Sequence, residues 1–147
     1  MKRKIVFLSL FLILSISGVS AQSKDLPQSI ISKTAVIRGY HVQQELKEMN
    51  KGELLELYIE RIKVLVKILP HIALATKPGV TLTDLGIPNN ADNKKALASQ
   101  DESCTKFLES TVEFQRTMVP YSDTRNLINA ILFYENIMKS LHEFDSN

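Results

Sequence analysis

The stretch ELLELYIERIKVLVKILPHIALAT, residues 53–76, constrains this chain more than any other. Leu55, Ile59, Ile62, Val66, Leu69 and Ala73 form one apolar stripe at heptad spacing, and Leu54, Tyr58, Leu65, Ile68 and Ile72 form a second beside it. Only a narrow polar strip of Glu56, Glu60, Lys63, Lys67 and His71 is left. A helix apolar over so much of its circumference must be covered on most sides. It is either the central helix of a domain or half of a subunit interface. Pro70 removes a backbone donor and predicts a kink near the end of this helix.

The same periodicity places three more helices around it. Over residues 29–50, Ala35, Gly39, Val42, Leu46 and Met49 recur at spacings of three and four, with Ile30, Ile31 and Ile37 widening the stripe. The run Thr34-Ala35-Val36-Ile37 is β-branched enough for a short strand, but the spacing favours a helix. A third helix starts at an Asn90 or Asp92 cap and runs to about Met118, with Leu97, Gln100, Cys104, Phe107, Thr111, Phe114 and Met118 on one stripe and Leu108 beside it. Pro120 then stops one helix, and Ser122 or Asp123 caps the next. The last helix carries Leu127, Ile131, Tyr134, Met138 and Leu141 and ends before Asp145. The expected fold is all-α, an antiparallel four-helix bundle with a long apolar connection between helices 2 and 3.

That connection, KPGVTLTDLGIPNN at 77–90, exceeds the two to eight residues usual between bundle helices. Val80, Leu82, Leu85 and Ile87 give it apolar content that a solvated linker lacks, so it is expected to close over one end of the bundle. The competing reading makes it the rim of a pocket for an apolar ligand or a partner's side chain, opened by the kink at Pro70 beside His71. Pro70, His71, Val80, Leu82, Leu85 and Ile87 are therefore the candidate contact residues.

The N-terminus reads as an export signal. Lys2, Arg3 and Lys4 precede an almost unbroken apolar run at 5–16, and Gly18-Val19-Ser20-Ala21 ends in small residues. Cleavage is expected after Ala21, leaving residues 22–147 as a single helical domain, periplasmic or secreted. The apolar run is shorter than the roughly 20 residues a bilayer requires, and the sequence implies no integral membrane segment after signal removal. The full chain has 18 bases and 16 acids. Three of the bases and none of the acids lie in the signal, so the mature chain carries 15 against 16, a net −1. A balance so near neutrality gives no electrostatic footprint for nucleic acid. Cys104 is the only cysteine, so no internal disulfide is available and packing must hold the domain together.

Candidate chemistry is sparse. Cys104 lies on the third helix's apolar stripe, the setting of a buried small hydrophobe rather than of a nucleophile. His41, His71 and His142 lack the His-x-x-x-His or Glu-x-x-His spacing of helical metal sites. No Cys-x-x-Cys-His, Gly-x-Ser-x-Gly or Ser-x-x-Lys occurs. The pairs Glu56/Glu60 and Glu109/Glu113 read as solvated helix faces. The sequence implies no cofactor, no metal and no catalytic residue. The functional expectation is an exported, non-catalytic helical protein acting through protein–protein contacts, as an envelope-assembly subunit, accessory or inhibitor. Its partner is another protein or itself, with a homodimer through helix 2. The alternative is a small carrier of an apolar ligand at the bundle end near residues 70–88.

Overall fold

The structure, a computed structural model, describes residues 27–144, with side chains through Leu141. The expected signal segment at 1–21 and the His142 side chain lie outside the described residues. Four α-helices are present among them: α1 Gln43–Glu48, α2 Lys51–Ile68, α3 Ala91–Met118 and α4 Thr124–Phe144. Among the described residues there is no strand; an isolated antiparallel bridge joins Ser29 to Thr81. The all-α expectation holds.

The caps explain where the helices start. Asn50 opens α2 with a reciprocal box: its side chain accepts from the Glu53 amide at 3.0 Å, and the Glu53 carboxylate accepts from the Asn50 amide at 2.8 Å. Asn90 opens α3 by accepting from the Asn93 amide at 2.8 Å, and Asp123 precedes α4 and accepts from the Arg125 amide at 2.7 Å.

Two sequence expectations fail here. The long first helix over 29–50 is absent: residues 30–42 run as irregular chain, and only Gln43–Glu48 is helical. The reason lies in where the backbone groups go. Ile30 N donates to Val80 O at 2.8 Å, Gly79 N to Ile31 O at 2.9 Å, His41 N to Glu135 Oε2 at 2.7 Å, and Gly39 O accepts from Arg61 at 2.7 Å. A helix would spend those same groups on itself. The second failure is the kink. α2 does not bend at Pro70; it ends at Ile68, and Pro70 sits inside the 3-10 turn Leu69–His71.

α2 is the central helix, packed against both α3 and α4, while α3 and α4 have little contact with each other. Arg116 reaches Glu56 at 2.9 Å and Cys104 Sγ approaches Val66 O at 3.8 Å, so α3 runs antiparallel to α2. Tyr58 stacks on Tyr134 with ring centroids 5.6 Å apart, and Arg61 meets Glu135, so α4 runs parallel to α2. The core has two clusters along this α2–α4 seam. One joins Leu46, Leu54, Leu127, Ile128 and Ile131. The other joins Ile30, Ile31, Ala35, Val64, Leu65, Ile68, Leu82, Met138 and Leu141. The irregular N-terminal segment thus fills the place expected of a fourth rod, on the side of α2 and α4.

Ile31 has no exposed surface, so Ile31→Ala is expected to cost about 2–4 kcal/mol in chemical denaturation. Gly39 has open space where a Cβ would go, and Gly39→Ala should change stability by less than about 1 kcal/mol. A large stabilisation by Gly39→Ala would instead mark a helix through residue 39.

Candidate functional site

The residues singled out in the sequence are divided by the fold rather than gathered. Leu82 is buried in the core cluster with Ile30 and Ile31, and Ile87 packs against it partly buried. Val80 is partly buried and gives its carbonyl to Ile30, whereas Leu85 and Pro70 are exposed. The connection is held by its own turns. Asp84 accepts from the amide and hydroxyl of Thr81, both at 2.8 Å, which holds its carboxyl below the ordinary range. Gly79 and Gly86 adopt φ of 91° and 69°, which glycine reaches without strain. His71 is buried; that burial pushes its imidazole below the usual value, with the Asp101 carboxylate opposing. Leu69, Ile72 and Leu74 stand exposed around it.

Beside this end, a largely apolar cavity of about 200 Å³ is lined by Ile37, Val64, Ile68, Pro78, Met138 and Leu141 among others. Thr76 also lines it, and the Thr76 hydroxyl is buried without a hydrogen-bond partner among the described residues.

A polar cluster that sequence reasoning missed lies between the two core clusters. Arg61 and Glu135 are fully buried. Glu135 Oε1 accepts from Arg61 Nη2 at 2.6 Å and Nε at 3.1 Å. Its Oε2 accepts from the His41 amide at 2.7 Å. Arg61 Nη2 donates its second hydrogen to Gly39 O, and Nη1 pairs with Glu60. With both Nη2 hydrogens spent, the His41 Nδ1 at 3.0 Å from Glu135 Oε1 is the donor in that contact. Burial pushes the Glu135 carboxyl up, but the hydrogen bonds from His41 and the Arg61 guanidinium outweigh it and hold the carboxyl below its ordinary value. The cluster borders an open groove of about 820 Å³ between residues 38–41 and the Gly52 to Lys63 side of α2. Among the described residues, no group of three or more His, Cys, Asp or Glu is placed to hold a metal ion.

A signal for this cluster was present in the sequence. Leu54, Arg61 and Ile68 share one heptad register, and Ile128 and Glu135 share another. Opposite charges thus interrupt apolar faces on two helices, Arg61 between Leu54 and Ile68 and Glu135 among Ile128, Ile131 and Met138.

The largest departure from the sequence reading concerns which helix has surface to spare. α2 carries no exposed large apolar residue within Lys51–Ile68, and its two stripes open to solvent only past its end, at Leu69 and Ile72. A dimer contact through helix 2 would find its exposed apolar surface at Leu69, Ile72 and Leu74 just beyond α2, not along α2 itself. α3 is the reverse case. Cys104 and Leu108 are buried against the core, but Phe107 is 55% exposed, Phe114 57%, Met118 49%, and Tyr121 just beyond the helix 87%. At 100° per residue these four share one face with Ala96, Ser99, Gln100, Ser103, Ser110, Thr111 and Thr117. From Ala96 onward the charged residues Asp101, Glu102, Lys106, Glu109, Glu113 and Arg116 all fall outside it.

Removing one member of a buried ion pair strands the other, so Glu135→Gln is expected to cost roughly 3–5 kcal/mol at neutral pH. The Arg61→Met/Glu135→Leu double variant should lose well under the sum of its single variants, in a denaturation cycle. Because the folded Glu135 pKa lies below the unfolded one, its stabilisation is full above about pH 4.5 and is lost as pH falls through the folded value. Acid denaturation of the double variant should accordingly be shallower than that of the wild type.

The comparisons with known proteins add no relative to this geometry: no protein-family model, no curated protein and no solved structure matches the chain.

Proposed function

We propose that this is an exported, non-catalytic helical protein that acts by binding another protein chain through the open flank of α3, its helices forming part of an antiparallel bundle that the contact completes. The single observation that carries this reading is the charge-free face of Phe107, Phe114, Met118 and Tyr121. Protein interfaces are enriched in aromatic residues and Met and depleted of charge at their centres. Scattered exposed apolar side chains such as Val36, Val42 and Phe133 are ordinary; three in register along one helix, with Tyr121 just past its end, are not. The Arg61–Glu135–His41 cluster supports a structural role instead, since its hydrogen-bonding groups are used on one another.

A photo-crosslinking phenylalanine analogue at position 107 or 114 tests this in the producing cell. Ultraviolet light should yield an adduct of discrete mass from both positions and none from position 63 on the groove side of α2. Absence of adducts from 107 and 114 overturns the reading.

The apolar cavity beside Thr76 favours a second reading, a carrier of a small apolar ligand near residues 70–88. Native mass spectrometry would then show a bound species of discrete mass that Ile68→Phe, which fills the cavity, removes. A chain observed only at its own mass excludes the carrier.

A further inference from the structure

We infer that the occupant of the α3 face is a second copy of this chain, laid antiparallel along it about a two-fold axis between Ser110 and Thr111. This rests on the contact reading and specifies its partner.

Three observations carry it. The first is the character of the face. It offers no charge for a partner of opposite sign, and three of its hydroxyls are already bonded within the helix. Ser103 Oγ donates to Ser99 O at 2.9 Å, Ser110 Oγ to Phe107 O at 3.0 Å and Thr117 Oγ1 to Glu113 O at 3.0 Å. A face of this kind can lose its water against a copy of itself without burying an unpaired charge, and with these three hydroxyls still bonded.

The second is register. An axis midway between residues 110 and 111 sets Phe107 beside Phe114 of the second copy, Ser103 beside Met118, and Gln100 beside Tyr121. The two Phe then meet each other, Met118 meets a small side chain, and Tyr121 lies along the amide side chain of Gln100. Lys106 and Glu113 border the same edge of the face, one residue before each Phe. In an antiparallel pair like edges meet, so Lys106 lies within about 3 Å, along the axis, of Glu113 in the second copy. The symmetry supplies that opposite-charge pair twice. A net charge of +2 on the full chain adds little repulsion between copies.

The third is area. At about 200 Å² for a whole aromatic side chain, the exposed fractions of the four large residues present on the order of 500 Å². The intervening Ser, Thr and Gln side chains bring the face to the order of the ~800 Å² per partner that a stable interface buries.

The experiment uses the chain purified from the producing cell with the N-terminus that processing leaves. At about 50 µM, where a micromolar self-association is nearly complete, light scattering should give twice the mass of one chain. Phe114→Lys should give one chain's mass with unchanged circular dichroism, raising the dimer Kd at least ~100-fold. Lys106→Glu and Glu113→Lys should each raise Kd roughly 3- to 30-fold, and their combination should return it to within about threefold of wild type. A single-chain mass for the wild type, or a dimer indifferent to Phe114→Lys, overturns the second-copy inference, and charge swaps that fail to rescue one another overturn its two-fold arrangement. The crosslinks from positions 107 and 114 separate the two levels. An adduct of two chains supports the inference, an adduct with a different protein overturns it while leaving the contact reading standing, and no adduct overturns both.

Discussion

Arg61 and Glu135 meet where neither is reached by water, with an apolar cluster above and another below. Taking two charges out of water costs several kcal/mol per ion, and a lone attraction seldom recovers it. Here the recovery comes from saturation. The carboxylate receives the guanidinium, the His41 amide and the His41 ring, and the guanidinium also holds Gly39 O and Glu60. Several partners come from backbone that is not helical, so the pair dictates more than its own helices. Residues 39–41 must present one carbonyl and one amide inward, and a helix through them would withdraw both. The pair also sets the register of α2 on α4. Sliding one helix by a turn would bury each charge against aliphatic side chains, a far larger penalty than any gain from repacking.

Much of the architecture was legible because it rests on local chemistry. Asn90 and Asp123 were readable as caps since their side chains answer amides two or three residues on. Cys104 was readable as buried from its stripe. Leu82 and Ile87 lie against the core as an apolar connection between helices should. Two things were not legible in the same way. The apolar spacing at 35, 39, 42, 46 and 49 suits a helix, but it cannot register that Gly39 and His41 are claimed by groups far along the chain. Periodicity also identifies a face without saying what covers it. The stripe through Phe107, Phe114 and Met118 has the spacing of a core face, yet the side that packs on α2, through Cys104 and Leu108, lies roughly 80° around the helix. Arg61 and Glu135 were readable in principle. Each interrupts an apolar helix face, and two opposite interruptions on two helices are a reason to pair them.

These two failures have one cause. A long first helix would have provided a fourth rod. The chain instead sends Ile30, Ile31 and Ala35 against Val64, Leu65, Met138 and Leu141, on the α2–α4 side, and ties them there through the Val80 and Gly79 hydrogen bonds. Nothing among the described residues is then left to shield α3 on its outer flank. The open face is thus a consequence of the same buried pair that holds residues 39–41 out of a helix.

The separation has a physical consequence for how the chain can serve both stability and contact. Residues that determine the fold (Arg61, Glu135, Ile31, Leu54, Ile131) sit on α2, α4 and the irregular segment and are closed to solvent. Those available for contact sit on α3 and are held in place by Cys104 and Leu108 on its inner side. A helix anchored along one side presents its other side rigidly, so the aromatic rings lose little backbone freedom when something settles on them. The charges that flank the face remain in water at its rim, where they can orient a second helix without being desolvated. An exposed apolar face is otherwise a liability in a protein with no internal disulfide to limit unfolding, and the proposed second copy would remove it.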